Sequence, residues 1–233
     1  KSICKYNYAK FKKKSKINNP LEETVYNLHN KNNIFIKYID HKKITKIIFK
    51  ALSSGSYNNQ CDIVLRQMSA RNPLKGAAQQ LHNDTRIVGC KFPLVIHAMY
   101  MLDDFTNENG STRLVPKSQM FLKYAKKGES HKNEKIIKGK KGTVLLFDAS
   151  MWHGSCKKIT DEDRWGMIYS YSRWFLKTDF DLTKNTPKCV YNKLSLNQKK
   201  LLGFCHNPPI DEFERESAIN NYPDKPNNYS FPV

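Results

Sequence analysis

No apolar run in this chain approaches the roughly 18 residues that a membrane-spanning helix needs, and no signal-peptide pattern opens it. The six cysteines stand at positions 4, 61, 90, 156, 189 and 205, without a C-x-x-C pair. That spacing reads neither as a zinc site nor as a compact disulfide framework, and it leaves reduced thiols in a cytoplasmic protein as the expectation. Acidic residues are scarce, 21 against 40 lysines and arginines. Repeats and linker-like stretches are also lacking. One domain is therefore expected over 1–233, with a helical or loop cover over 1–60, a core over 61–206 and an irregular tail over 207–233. The chain opens on Lys1, not Met, which makes a preceding segment an expectation.

What is present suffices for a core: 39% of the residues are hydrophobic and 12% aromatic, despite a mean hydropathy of −0.68. The net charge of +19 invites a polyanionic partner. Its carriers, however, are nearly all lysines accompanied by many asparagines, the pairing that AT-rich codon usage produces without selection for binding. The run Lys10, Lys12, Lys13, Lys14, Lys16 accordingly reads as a solvated stretch.

Residues 1–32 are weakly patterned and read as short helices or loops lying over the core. His41–Leu52 places Ile44, Ile47, Ile48 and Leu52 at helical spacing. From Cys61 the texture changes to short β runs: CDIVLRQM, QQLHNDTRIVG with its turn, FPLVIHAMYML, STRLVP, KIIKG, GTVLLFD, SMWHGS and RWGMIYSYSRWF. Turn formers separate them, as in Asp103–Gly110, and SLNQKKLLGF reads as a short helix. Many short strands with turns between them favour a barrel or sandwich.

Three elements carry chemistry. In His82-Asn83-Asp84, residues two apart on an extended strand share a face, so an imidazole and a carboxylate reach one ion. His153, in Trp152-His153-Gly154-Ser155, completes two histidines and one carboxylate, the facial triad of non-haem iron(II) sites. Arg164 follows eleven residues later. A polar turn near Ile159 would let the flanking strands pair as an antiparallel hairpin, with Arg164 across from His153. A guanidinium there can take a carboxylate in a bidentate pair, and Ser155, on the same face as His153, can add a hydrogen bond.

With those residues in view, Leu81–Phe175 resembles the core of the phytanoyl-CoA dioxygenase family. The likeness rests on Leu102-Asp103-Asp104-Phe105-Thr106, on Glu108-Asn109-Gly110-Ser111-Thr112-Arg113-Leu114-Val115-Pro116-Lys117-Ser118, and on Trp-His-Gly-Ser followed by Arg164; it extends over roughly 60–206. Lys117 stands where the family has glycine, and Gln119 where histidine is common, which puts the shape of that turn in question.

The resemblance implies a double-stranded β-helix (jelly-roll, cupin-like), mainly β with flanking N-terminal helices. It also implies a 2-oxoglutarate-dependent non-haem iron dioxygenase. Fe(II) would be held by His82, Asp84 and His153, and 2-oxoglutarate by Arg164 and Ser155. O2 would be consumed as 2-oxoglutarate is decarboxylated to succinate and CO2 and a small molecule is hydroxylated. A carboxylate at 84 implies hydroxylation in place of halogenation.

Taken singly, these residues have plainer readings: His82 as a structural histidine, Asp84 as a turn former, Arg164 as a surface cation, Ser155 as a turn hydroxyl. His97, mid-strand, reads as a core histidine or as one near the co-substrate. Thr112 reads as a cavity-lining residue. Gln67, Met68, Gln79 and Gln80 are undifferentiated pocket candidates, and His41, His131 and His206 read as solvated. Tyr169, Tyr171 and Trp174 read as barrel packing, not as a stacking platform for bases. A monomer acting on a small molecule is expected. The alternatives are the same chemistry on nucleic acid or a CoA-linked or phosphorylated compound, and a non-catalytic binding module.

Overall fold

The computed structural model describes residues 1–12, 19–59, 61–206 and 211–213. Among the described residues, eight strands form two sheets. The larger orders β1 (Glu22–Tyr26), β2 (Ile63–Pro73), β8 (Gly166–Arg173), β3 (Val95–Met101) and β6 (Val144–Asp148). The smaller orders β5 (Lys135–Ile136), β4 (Thr112–Leu114) and β7 (His153–Ser155). Every pairing is antiparallel. After β1, β2 and β3 in the larger sheet, the chain passes to the smaller for β4 and β5 and then alternates through β6, β7 and β8, as a double-stranded β-helix does.

Alternation along the strands of the larger sheet decides what each face does. On β3 and β8, Ala98, Tyr100, Met167, Tyr169 and Tyr171 turn outward into the main apolar core. Helix α2 (Lys42–Ser53) and the 3-10 turn at Asn33–Tyr38 cover this face. The phenol of Tyr169 donates to Phe35 O at 2.8 Å, and that of Tyr171 to Ile39 O at 2.9 Å. Both tyrosines are therefore packing residues, with each buried hydroxyl satisfied. The opposite face presents His97, Met99, Phe147, Gly166 and Ile168 to a cavity between the sheets.

Several expectations shift. In α2, Ile48 and Leu52 are buried, whereas Ile47 is 55% exposed. The apolar stripe therefore runs i, i+4, i+8 from Ile44, and Ile47 falls off it. Residues 1–32 hold helix α1 (Ser2–Lys12) and also a strand, β1, which pairs with β2. Lys10 and Lys12 are exposed on α1; Lys13, Lys14 and Lys16 lie outside the described residues, as does most of the expected tail.

The C-terminal part carries α3 (Leu182–Asn185), α4 (Lys188–Tyr191) and α5 (Leu196–Leu201); Ser195 and Gln198 close α5 with a reciprocal capping box. All six cysteines are free thiols. Among the described residues, no helix is long and apolar enough to cross a membrane. His41 is exposed as expected, but His131 packs against Phe121, and His206 stacks on Trp174 with its Nε2 3.4 Å from Asp62. Their polar sequence neighbours concealed aromatic partners distant along the chain.

The largest correction concerns the route from His153 to Arg164. No hairpin joins them, because β7 belongs to the small sheet and β8 to the large one. The connecting residues bond elsewhere: Lys158 N donates to Ala77 O at 3.0 Å, Ile159 N to Glu108 O at 2.7 Å, and Gly76 N to Lys158 O at 2.8 Å. With its backbone groups taken, this segment cannot close into a tight turn. It bridges the two sheets at the end of the cavity instead.

Candidate metal centre

His82 lies outside the two sheets, yet its backbone is paired as if in one. His82 N donates to His153 O at 2.8 Å, His153 N donates back to His82 O at 3.0 Å, and Asp84 N donates to Ala149 O at 2.9 Å. The segment thus lies along β7 as an extra strand fragment. The glycine of Trp-His-Gly-Ser permits the approach: a Cβ at Gly154 would stand 2.6 Å from Gln79 O and 2.8 Å from Gln80 O. Asn83 fastens the fragment on its other side. Its amide nitrogen donates to Ser150 O, and its oxygen accepts from Ala125 N at 3.1 Å.

This backbone pairing brings one ligating atom each from His82, Asp84 and His153 within 4.8 Å of one another. Asp84 Oδ1 is 3.4 Å from His82 Nε2, and Oδ2 is 3.5 Å from His153 Nε2. The other ring nitrogens are anchored. His82 Nδ1 donates to Gln80 O at 2.9 Å and His153 Nδ1 to Met151 O at 2.8 Å. In each neutral ring those bonds leave Nε2 bare. Two bare nitrogens facing an ionised carboxylate repel one another until a cation enters. Two imidazoles and one oxygen suit a divalent first-row metal such as Fe(II), and the donor set fits.

The electrostatics agree. Burial alone would raise the Asp84 carboxyl, but His153, His82 and His97, whose rings donate to it when Nε2 carries a proton, outweigh burial and hold the group well below the usual carboxylate range. Its side chain is 40% exposed, and it is ionised at neutral pH. His82 is displaced upward, burial opposing and the Asp84 and Gln80 hydrogen bonds prevailing. His153, fully enclosed, is displaced downward by burial in spite of the same carboxylate. Its neutral form is the one that ligates a metal.

Arg164 lines the same cavity as the triad, together with Ser155, Thr112 and His97. Its Nε and Nη2 donate to the carbonyls of Asn109 and Gly110 at 3.4 and 2.6 Å, and its guanidinium lies 4.2 Å over the Phe105 ring. Its own backbone N–H donates to the Asn72 side chain at 2.8 Å. The segment Leu102–Gly110 is therefore a seat for Arg164. Burial lowers the guanidinium to about 10, leaving it charged at neutral pH. Among the described residues Nη1 takes no hydrogen bond, so the end-on edge formed by Nη1 and Nη2 stays available to a carboxylate.

Thr112 and Ser155 are direct partners across β4 and β7. Ser155 Oγ accepts from Gln79 N at 2.9 Å and keeps its proton for another acceptor. Of the undifferentiated candidates, Gln67 and Gln79 line the cavity, Met68 is core, and Gln80 anchors His82.

Sequence reasoning missed Arg71 and Glu22, an ion pair of 3.2 Å on the cavity wall. The signal for Arg71 would have been the inward face of β2, which it shares with Gln67. It also missed Phe105, Asn109 and Asn72 as supports of Arg164. In the turn in question, Lys117 takes the left-handed conformation at φ 69° that glycine would occupy without cost.

The sequence profile of the phytanoyl-CoA dioxygenase family (PhyH) matches residues 3–166, beginning well before the resemblance read from the motifs. The uncharacterized protein Rv1501 of Mycobacterium tuberculosis is 23% identical over 123 residues, 53% of this chain and 45% of that protein. The dioxygenase trt7 of Aspergillus terreus is 28% identical over 134 residues, 54% of this chain and 46% of that one. The chain thus spans less than half the length of these relatives. Among solved structures, HygX from Streptomyces hygroscopicus with nickel, 2-oxoglutarate and hygromycin B bound superposes with a TM-score of 0.59 at 13% identity. That match covers 76% of this chain and 80% of HygX, and HygX is also known with iron bound. With a family profile covering more than half of its residues, and the family's jelly-roll beneath its motifs, the chain belongs to the phytanoyl-CoA dioxygenase family.

Proposed function

We propose that this protein is an Fe(II)- and 2-oxoglutarate-dependent dioxygenase that hydroxylates a small molecule, with 2-oxoglutarate decarboxylated to succinate and CO2. The observation that carries this reading is the gathering of two imidazoles, one carboxylate and a buried guanidinium around one cavity. Iron and 2-oxoglutarate, when bound, supply the oxidising chemistry.

The protein's part is placement. His82 and His153 present Nε2, fixed by the carbonyls behind their rings, and Asp84 presents an ionised oxygen. Arg164 holds the distal carboxylate of 2-oxoglutarate on its free edge, with Ser155 donating its hydroxyl proton to the same group. The Phe105 ring and the Gly110 carbonyl hold that guanidinium in one orientation. Met99, Phe147 and Ile168 supply apolar walls that limit water around the reacting atoms.

A small-molecule substrate is favoured over a polyanion because none of the lysines among the described residues lines this cavity. HygX, known with both 2-oxoglutarate and hygromycin B bound, supports the same scale of substrate. The test is succinate formation from 2-oxoglutarate under O2 with added Fe(II), first alone and then with a panel of small polar molecules. Iron-dependent succinate that disappears in Asp84→Ala supports the reading; iron-independent succinate, or full turnover by Asp84→Ala, removes it.

A further inference from the structure

His97 is the buried histidine of the cavity that the iron-site reading leaves without a task. β3 runs between β8 and β6, so His97 has a direct neighbour on each side, Ser170 on β8 and Phe147 on β6. Ser170 Oγ lies 2.7 Å from His97 Nδ1. The Phe147 ring packs at 5.1 Å against both the His97 and the His153 rings. Held on two sides by its own sheet, the imidazole is left with one orientation, and that orientation aims Nε2 at Asp84 Oδ2, 3.0 Å away.

The partner decides which nitrogen carries the proton. A bare Nε2 facing an ionised carboxylate oxygen at 3.0 Å would set two lone pairs against each other. Nε2 therefore bears hydrogen and donates, and the Ser170 hydroxyl can donate to the free Nδ1. An Nε2–H donates to a carboxylate but does not ligate a metal. This separates His97 from His82 and His153, whose hydrogen-bonded nitrogen is Nδ1 and whose Nε2 is bare. The two oxygens of Asp84 are thereby made unequal: Oδ2 is tied to His97 and lies 3.5 Å from His153 Nε2, while Oδ1 faces His82 alone.

We infer that His97 is a positioning residue for the metal: through Nε2–H it holds Oδ2 of Asp84, so that the carboxylate offers Oδ1 to the ion as a one-oxygen ligand in a fixed plane. Both ring nitrogens are then engaged, and the residue acts on the metal through Asp84, not on the co-substrate. The inference rests on the reading of His82, Asp84 and His153 as the iron site.

The test uses Co(II) as a spectroscopic stand-in for iron. Metal-free wild type, His97→Leu, His97→Gln and His97→Asn are titrated with Co(II) against a chelating dye, and their visible ligand-field spectra are recorded. Each metal-free protein is also melted, to show that it is folded. Loss of an outer hydrogen bond to a ligand weakens metal affinity by about 10–100-fold, and His97→Leu is expected to show that loss with an altered spectrum. Glutamine places an amide N–H near the Nε2 position and is expected to restore affinity and spectrum. Asparagine, too short to reach Oδ2, is not. If His97→Leu does not fold, the Gln and Asn pair makes the same comparison.

Unchanged Co(II) affinity and spectrum in His97→Leu, or in His97→Asn where that pair stands in, overturns the inference and leaves the iron site intact. A loss that glutamine does not repair overturns it too. Wild type that binds no Co(II) overturns the inference and the iron-site reading together.

Discussion

His82 and His153 exchange both backbone hydrogen bonds, at 2.8 and 3.0 Å, and their rings stand 4.3 Å apart. Two candidate metal ligands from distant parts of the chain are thus registered by main-chain pairing, before any ion arrives. The geometry depends on Gly154, over which the Gln79 and Gln80 carbonyls pass. Gly154→Ala is expected to destabilise the fold by about 1–3 kcal/mol, the usual cost of overpacking, and to weaken metal binding. Urea denaturation alongside a Co(II) titration checks both. An alanine variant with wild-type stability and affinity would show that the pairing is not under that constraint.

Arg164 is held on one edge by carbonyls and from below by Phe105, which leaves one edge for an anion. Removing it should weaken 2-oxoglutarate by roughly 10–100-fold, the worth of about 1.5–3 kcal/mol for hydrogen bonds to a charged group. Metal affinity should stay near wild type. Arg164→Lys should not rescue, because an ammonium cannot keep the fork. Calorimetric titration of 2-oxoglutarate into metal-loaded protein measures this, and equal affinities in wild type and Arg164→Ala would place the co-substrate elsewhere.

Lys117 occupies the left-handed conformation at φ 69°, which costs a residue with a Cβ about 1–2 kcal/mol. Glycine forfeits part of that gain through its freer unfolded chain. Lys117→Gly is therefore expected to stabilise by about 1 kcal/mol or less, read as a higher urea midpoint with an unchanged slope. A lower midpoint would mean that the lysine makes a contact worth more than its strain.

His29 is fully buried, and neither ring nitrogen has a hydrogen-bond partner among the described residues. Burial depresses it to about 4, from 6.5. The folded state thus keeps a neutral ring where the unfolded chain takes a proton. The stability this contributes is full above pH 6.5 and is lost as pH falls toward 4. The loss amounts to roughly 3 kcal/mol at 1.36 kcal/mol per pH unit. His29→Leu should flatten the stability profile over that window; a profile as steep as wild type would assign the acid sensitivity to other groups.

The triad was legible because its chemistry is short-range: His82 and Asp84 are two apart, and Trp-His-Gly-Ser is a local signature. Arg164, which does line the triad's cavity, was placed there by way of a hairpin that does not form, because spacing along a chain is blind to which sheet a strand joins. β1 was illegible, since Glu22–Tyr26 buries Thr24 and Val25 in succession and lacks period-two alternation. The same blindness hid the role of Leu102–Gly110. Those residues resembled a family motif, but only the folded chain shows their carbonyls and the Phe105 ring gripping a guanidinium distant in sequence. His97 resisted for a related reason, because its partners Ser170, Phe147 and Asp84 come from three other segments.

The central claim, that iron and 2-oxoglutarate share the cavity of His82, Asp84, His153 and Arg164, is tested most directly by anaerobic titration. Metal-free protein receives Fe(II) and then 2-oxoglutarate while the visible spectrum is followed. The account predicts a weak charge-transfer band on addition of 2-oxoglutarate, absent in His153→Ala and, at matched 2-oxoglutarate, much reduced in Arg164→Ala. Iron binding with no band at any 2-oxoglutarate concentration, or a band undiminished in both variants, would contradict it.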